Sequence, residues 1–256
     1  MFKTWQLTLF FVLCLMFALL FNLPAQQVLP HVKLPNTVRL VGVDGTVFRG
    51  TAQEIRINGL PLSALNYRFL PSCIPLLKIC YKITYAQGAF QLAYDALNND
   101  TEVSQARIEY PVAELARHVP NLLVKPLGNV ELLIDDLSMV QGKPTALNGK
   151  LIWRDLGLDN DGSTISIGDY QIDFSGDQQK YDFKLSDLDA NLDVAGEGEI
   201  KADGQYDVDI KITAESSIDP QVKKVLDLVA ANAGYNQYRF EQKGRLPKSL
   251  ARQLFK

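Results

Sequence analysis

Two hydrophobic patterns divide the chain. Leu7–Leu23 runs 17 residues without a charge, and counting from Trp5 brings the stretch to 19. Beyond it, apolar side chains return mostly at every second position, the period of a strand with one buried face. The first pattern predicts a helix just long enough for a hydrocarbon core of about 30 Å, with Trp5 at an interface and Lys3 before it. A cleaved leader fits less well, because "NLPAQQ" puts Leu23 and Ala25 where small residues are wanted at the cut. Residues 1–24 are therefore expected to form a short cytoplasmic end and a membrane anchor. Residues 25–37, with Pro30 and Pro35, are expected to form an extended stalk.

From Val38 the pattern predicts hairpins. Asn58-Gly59 and Gln87-Gly88 are turn dipeptides between apolar runs. Tyr81, Ile83 and Tyr85 share one strand face, and Phe90, Leu92 and Tyr94 another. The clearest alternation lies further on: Tyr170, Ile172, Phe174; Tyr181, Phe183, Leu185; Leu188, Ala190, Leu192, Val194; and Tyr206, Val208, Ile210, Ile212. Antiparallel strands with one buried and one wet face produce this signature. Gly176-Asp177 and Asp203-Gly204 mark turns between them. Two helices interrupt the strands. Pro111–Val119 has an apolar stripe of Val112, Leu115, Ala116 and Val119, leaving His118 on the polar side. In "DPQVKKVLDLVAANAG", Asp219 caps, Pro220 opens, Val222, Val225, Leu226 and Val229 face the core, and Gly234 ends the helix. A last strand holds Tyr238 and Phe240 in phase before a basic tail.

Charge changes the picture in one place. Residues 155–219 hold 17 Asp and Glu against 4 Lys and Arg, a net of −13, while the remainder carries +10. The acids alternate with apolar residues, so they line the wet face of strands. Such a surface repels nucleic acid and anionic headgroups; it reads first as a solvated sheet face and, in the sharper alternative, as an interaction face for a basic partner. Asp187, Asp189 and Asp193 are the candidate partner face.

The chain offers little for chemistry. In "VGVDGTVFRGTA", Gly45 and Gly50 have the glycine spacing of a phosphate loop. Thr51 stands where lysine would reach the phosphates, and the segment leads into a strand rather than a helix. Asp159, Asp161 and Gly162 resemble part of a calcium loop, but Gly157 and Gly168 hold the positions of two needed acids. An Asp-Gly hairpin turn accounts for that stretch. With His31 and His118 the only histidines, and no Gly-x-Ser-x-Gly, no nucleophile–base pair suggests itself. No catalytic, cofactor or metal site is expected, and the chain reads as a non-enzyme. Cys73 and Cys80, short-spaced beside Pro71 and Pro75 in an exported domain, are expected to form a disulfide. Cys14 lacks the small preceding residue of a lipoprotein cysteine.

The apolar segment to Leu23, the proline-spaced "VLPHVKLP", the stretch Val38–Ser72 and the closing "YRFEQKGRLP" together resemble the protein N component of the bacterial type II secretion system. The carrying residues are Val41, Gly42, Gly45, Thr46, Phe48, Gly50 and Ala52; that family often has Trp in place of Phe48. The resemblance implies a mainly β protein: an N-terminal transmembrane helix, then a periplasmic, antiparallel, curved β-sheet domain over residues 38–256 with two or three short helices. It implies single-pass residence in the inner membrane and an accessory role in export of folded proteins across the outer membrane. The partners would be other secretion-system proteins and exported substrates. No site residues come with it. Similar Gly-x-aromatic-x-Gly starts occur in large AsmA-like envelope proteins, which leaves a lipid-handling module as the alternative.

Overall fold

A computed structural model describes residues 4–31, 38–57, 60–116, 125–140, 143–160, 163–214 and 219–247. The chain divides into two compact units, Met1–Ala93 and Tyr94–Lys256. Both are built from antiparallel strands whose order in the sheet follows their order in the chain, with one exception at the C-terminal end.

The first unit opens with helix α1 (Thr4–Phe21) and continues through a single turn, α2 (Ala25–Val28), and a 3-10 turn at Leu29–His31. At 1.5 Å per residue, the 18 residues of α1 rise about 27 Å. No helix among the described residues is long and apolar enough to cross a membrane. The extended conformation expected from the prolines does not hold over Ala25–His31. Pro24 has the fixed φ of its ring, which suits the entry to a helical turn. Ala25 is buried and the Gln26 side chain donates to the Val43 carbonyl at 2.9 Å, so this segment packs onto the sheet. Residues 32–37 of the expected stalk lie outside the described residues.

Five strands follow: β1 (Val38–Gly45), β2 (Arg49–Ile57), β3 (Leu60–Leu70), β4 (Lys78–Tyr85) and β5 (Gly88–Asp95). β1 and β2 are joined through Thr46–Phe48, the centre of the glycine-spaced motif. Gly45 has φ +102, and a Cβ at Gly50 would strike the Asp44 carbonyl and the Tyr67 hydroxyl. Only glycine permits both the backbone turn and the close strand approach. The expected Asn58-Gly59 turn lies outside the described residues, but Ile57 pairs with Leu60 across it, as a two-residue loop requires. Cys73 and Cys80 are joined, with Cα atoms 6.0 Å apart. A cross-link closing so small a loop contributes about 2.5 kcal/mol by the chain-entropy estimate.

The second unit holds β6 (Asp100–Pro111), α3 (Val112–Ala116), β7 (Lys125–Val140), β8 (Lys143–Asn160), β9 (Ser163–Asp177), β10 (Lys180–Ala190), β11 (Leu192–Lys201), β12 (Gln205–Ala214), α4 (Pro220–Val229), β13 (Ala231–Gly234) and β14 (Gln237–Arg245). The expected helix at Pro111–Val119 is shorter at its start: Pro111 closes β6 and Val112 is the buried contact. Its end, with His118, lies outside the described residues. Asp159 sits on β8 opposite Thr164, and Asn160 pairs with Ser163, so the calcium-like stretch is a hairpin at both its described ends.

The helix expected to run to Gly234 stops at Val229, and Ala231–Gly234 becomes the short strand β13. Pairing with Arg239 and Tyr238 recruits these small residues as sheet, overriding their helix propensity. β14 pairs with β12, so it lies between β12 and β13. α4 covers the apolar face at one end of these strands. Val222 and Leu226 pack with Tyr170, Leu192, Val194, Ala214 and Tyr238 to form the core of the unit. No described side chain falls below 2% exposure, as expected where one sheet face is only partly covered.

Candidate partner face

On β9–β12 and β14 the pleat sends apolar residues to the α4 side and charges to the other. The charged side carries Asp173, Asp182, Lys184, Glu197, Glu199, Asp207, Asp209, Arg239, Glu241 and Lys243 around an open trough of about 650 Å³. The register brings them together: Asp182 faces Glu199, Glu197 faces Asp209, Glu199 faces Asp207, and Asp209 faces Glu241. Like charges directly opposite each other repel, so such a sheet needs counter-ions.

β14 supplies most of them. Arg239 forks onto both oxygens of Asp209 at 2.9 and 2.8 Å and also reaches Glu241 at 2.6 Å. Lys243 meets Asp207 at 2.6 Å, and Arg245 meets Asp203 at 3.1 Å. The Arg239 pairing draws the Asp209 carboxyl below its ordinary pKa; the backbone N–H of Gln205, and then Arg245, do the same for Asp203. At the other end Lys180 and Lys201 serve Asp182 and Glu199, each at 2.8 to 2.9 Å in its closest pair. Three of the acids counted in residues 155–219, Asp203, Asp207 and Asp209, are thus paired with cations 30 to 42 positions downstream. Glu197 has no ion-pair partner among the described residues.

The three aspartates singled out from the sequence are not one group. Asp187 pairs with Tyr170 on the apolar side, and its carboxylate accepts the Val194 N–H at 2.9 Å. A bulge between Asp187 and Asp189 reverses the phase. Asp189 then opposes Asp169, on the charged side, and Asp193 alternates with the buried Leu192 and Val194, on that same side. Beside Asp187, burial pushes the Tyr170 phenol up to about 12, with Asp187 and Asp193 adding to the effect. Its hydroxyl donates to the Leu192 carbonyl at 3.2 Å.

A separate cluster crosses β6–β9. Glu131, the one buried charge among the described residues, receives Arg107 at 2.9 Å and Arg154 at 3.3 Å. Two guanidiniums on one carboxylate fully pair it, which marks a structural brace. Sequence reasoning missed it, since Arg107, Glu131 and Arg154 are far apart in the chain and meet only through strand register.

The glycine-spaced motif also has a place. Phe48 stacks on Phe21 at the end of α1, ring centroids 4.7 Å apart, and meets Phe69 edge-on at 5.3 Å. The Val47 N–H donates to the Leu23 carbonyl at 3.0 Å, and Pro24 bridges to Thr46. The β1–β2 turn is therefore the seat on which the helix ends.

Comparison with known proteins places these features in a family. The family model described as type II secretion system (T2SS), protein N matches residues 36–241. The type II secretion system protein N of Vibrio cholerae serotype O1 is 23% identical over 246 residues, covering 93% of this chain and 97% of that protein. The protein of the same name from Aeromonas hydrophila is 24% identical over 242 residues, covering 89% and 93%. No solved structure matches.

Proposed function

Because the chain belongs to the type II secretion system protein N family, we propose that it is an accessory inner-membrane component of that system, acting through protein contact. The observation that carries this reading is the match over residues 36–241, which takes in the helix-seating turn, the braced strands β6–β9 and most of the charged face. In this reading α1 and its flanks to Leu23 form the single-pass anchor, and both units stand in the periplasm. Among the described side chains of α1, nine apolar ones, Phe10, Phe11, Leu15 and Leu19 among them, point outward unburied, which suits lipid rather than a protein core. A disulfide suits an oxidising compartment. The charged face of β9–β14 then meets other secretion proteins or exported substrates, and no step of the role is enzymatic.

The experiment is complementation. In cells deleted for this protein, the full chain restores export of a type II substrate, while a soluble form lacking residues 1–24 and sent to the periplasm by a cleavable leader does not. Undiminished export in the deletion strain would remove the reading.

A second reading, lipid handling of the AsmA-like kind, draws on one observation. Beyond α4 the apolar sheet face stays half-exposed at Phe174, Phe183, Ile200, Tyr206, Val208 and Phe240. Phospholipid co-purifying with soluble residues 27–256 would favour it, and a lipid-free mass spectrum would count against it.

A further inference from the structure

The disulfide loop turns its apolar side chains outward. Ile74, Leu76 and Leu77 are 56%, 68% and 67% exposed, and Ile79 behind them is 43% exposed. Scattered exposed apolar residues are ordinary, but four within six positions form a patch, and patches mark contact sites. The loop is built to hold them there. The Cys73–Cys80 bond ties it across, and Pro71 and Pro75 restrict the 3-10 turn Pro71–Leu76. Leu77 sits in the left-handed region at φ 58, with its N–H directed to the Cys73 and Ile74 carbonyls. That conformation is unfavourable for leucine, so the surrounding structure maintains outward display against collapse.

The position of the loop identifies what it faces. Arg49 pairs with Arg68, and Leu70 with Cys80, so the loop leaves the sheet at the end where Thr46–Phe48 turns. That turn seats α1 through Phe21, Phe48 and Phe69. The Phe69 N–H donates to the Phe48 carbonyl at 2.7 Å, and the Tyr81 hydroxyl to the Val47 carbonyl at 3.1 Å, which fixes the loop's two strands to the same seat. Loop and helix end therefore share one end of this unit. Residues 1–93 also carry eight Lys and Arg against two Asp and Glu, a net of +6. Exposed Arg49 and Arg68 stand on the strand ends nearest the loop. Apolar side chains rimmed by cations are what an anionic bilayer surface accepts.

We propose that this loop is a second membrane contact, inserting Ile74, Leu76 and Leu77 among the lipids of the leaflet into which α1 opens. The proposal rests on the reading of α1 as a bilayer anchor. Helix and loop would then fix the unit at two points, giving the first strands a set orientation to the membrane surface where a single tether would let them swing.

The test uses the full chain with Leu76→Trp, labelled with 5-fluorotryptophan, in vesicles of phosphatidylethanolamine and phosphatidylglycerol bearing an acyl-chain nitroxide. The native indoles at Trp5 and Trp153 give separate fluorine resonances. A Ser63→Trp chain provides the reference, since that exposed position lies about 23 Å along β3 from Leu70. Several-fold broadening at position 76, comparable to Trp5 and absent at position 63, is the expected result. Broadening at Trp5 with position 76 as sharp as position 63 overturns the loop contact and leaves the anchor standing. Sharp resonances at both Trp5 and position 76 overturn both. Ile74→Trp gives the same readout from the other side of Pro75.

Discussion

Arg239 on β14 lies in register with Lys211 on β12, yet its guanidinium reaches one pair along to grip both oxygens of Asp209. Opposite Lys211 it would meet a like charge; on the diagonal it meets a carboxylate whose other neighbours, Glu197 and Glu241, are also acidic. The pair lies in solvent, so its worth is electrostatic order across the strands more than stability. Arg239→Ala should shift the denaturation midpoint only slightly at low salt. That difference should vanish at high salt, as urea titrations at two ionic strengths would reveal.

Neutralising the aspartates of the partner face should separate by residue. Asp187→Ala removes the acceptor of the Val194 N–H beside the core and should cost about 1 to 2 kcal/mol in chemical unfolding. Asp189→Asn with Asp193→Asn should leave stability unchanged and lower export of a secreted substrate. Full export from that double variant would remove these two residues from any partner contact.

The seat of α1 gives a graded series. Phe48→Ala, losing stacking on Phe21 and Phe69, should destabilise by about 2 kcal/mol, below the cost at a fully buried site. Phe48→Trp should be near neutral. Gly50→Ala places a methyl group against the Asp44 carbonyl and Tyr67 hydroxyl and should cost about 1 to 3 kcal/mol. Thermal unfolding in detergent would rank the three.

Alkali should loosen the core at Tyr170. Its folded pKa is raised to about 12, chiefly by burial, against an ordinary value near 10. The stability this phenol contributes is therefore intact below about pH 10 and is lost as pH climbs from there through about 12. Tyr170→Phe gives up the hydrogen bond to Leu192, lowering stability at neutral pH by about 1 kcal/mol, and should flatten the alkaline decline. Denaturation midpoints between pH 8 and 11 would measure it.

The strands that alternate cleanly were legible from sequence, as at Tyr181, Phe183 and Leu185. β6, β7 and β8 were not. β7 and β8 run 16 and 18 residues but slip register between Leu127 and Asn129, Ile134 and Asp136, Ser138 and Met139, and around Leu156. Each slip reverses which parity faces inward, so a period-two search sees fragments. The disulfide could be read because the spacing of Cys73 and Cys80 is local. The compensation of Asp203, Asp207 and Asp209 could not, because Arg245, Lys243 and Arg239 are supplied by a strand that follows α4.

Placing β14 between β12 and β13 has a consequence for a chain delivered from its amino terminus. Within the second unit, from β7 through β12, each strand finds a partner in the strand just before it and needs nothing still to come. The order then breaks: β13 emerges first but has no neighbour until β14 arrives, and until then β12 keeps a bare row of N–H and C=O groups. A chain ending before Gln237 would thus lack both its final strand and the counter-ions of three aspartates, leaving an adhesive edge beside uncompensated charge. Such a product should be degraded faster than the full chain, so that the last strand protects the finished sheet. Pulse-chase comparison of chains ending at residues 230 and 247 would test this, and equal half-lives would refute it.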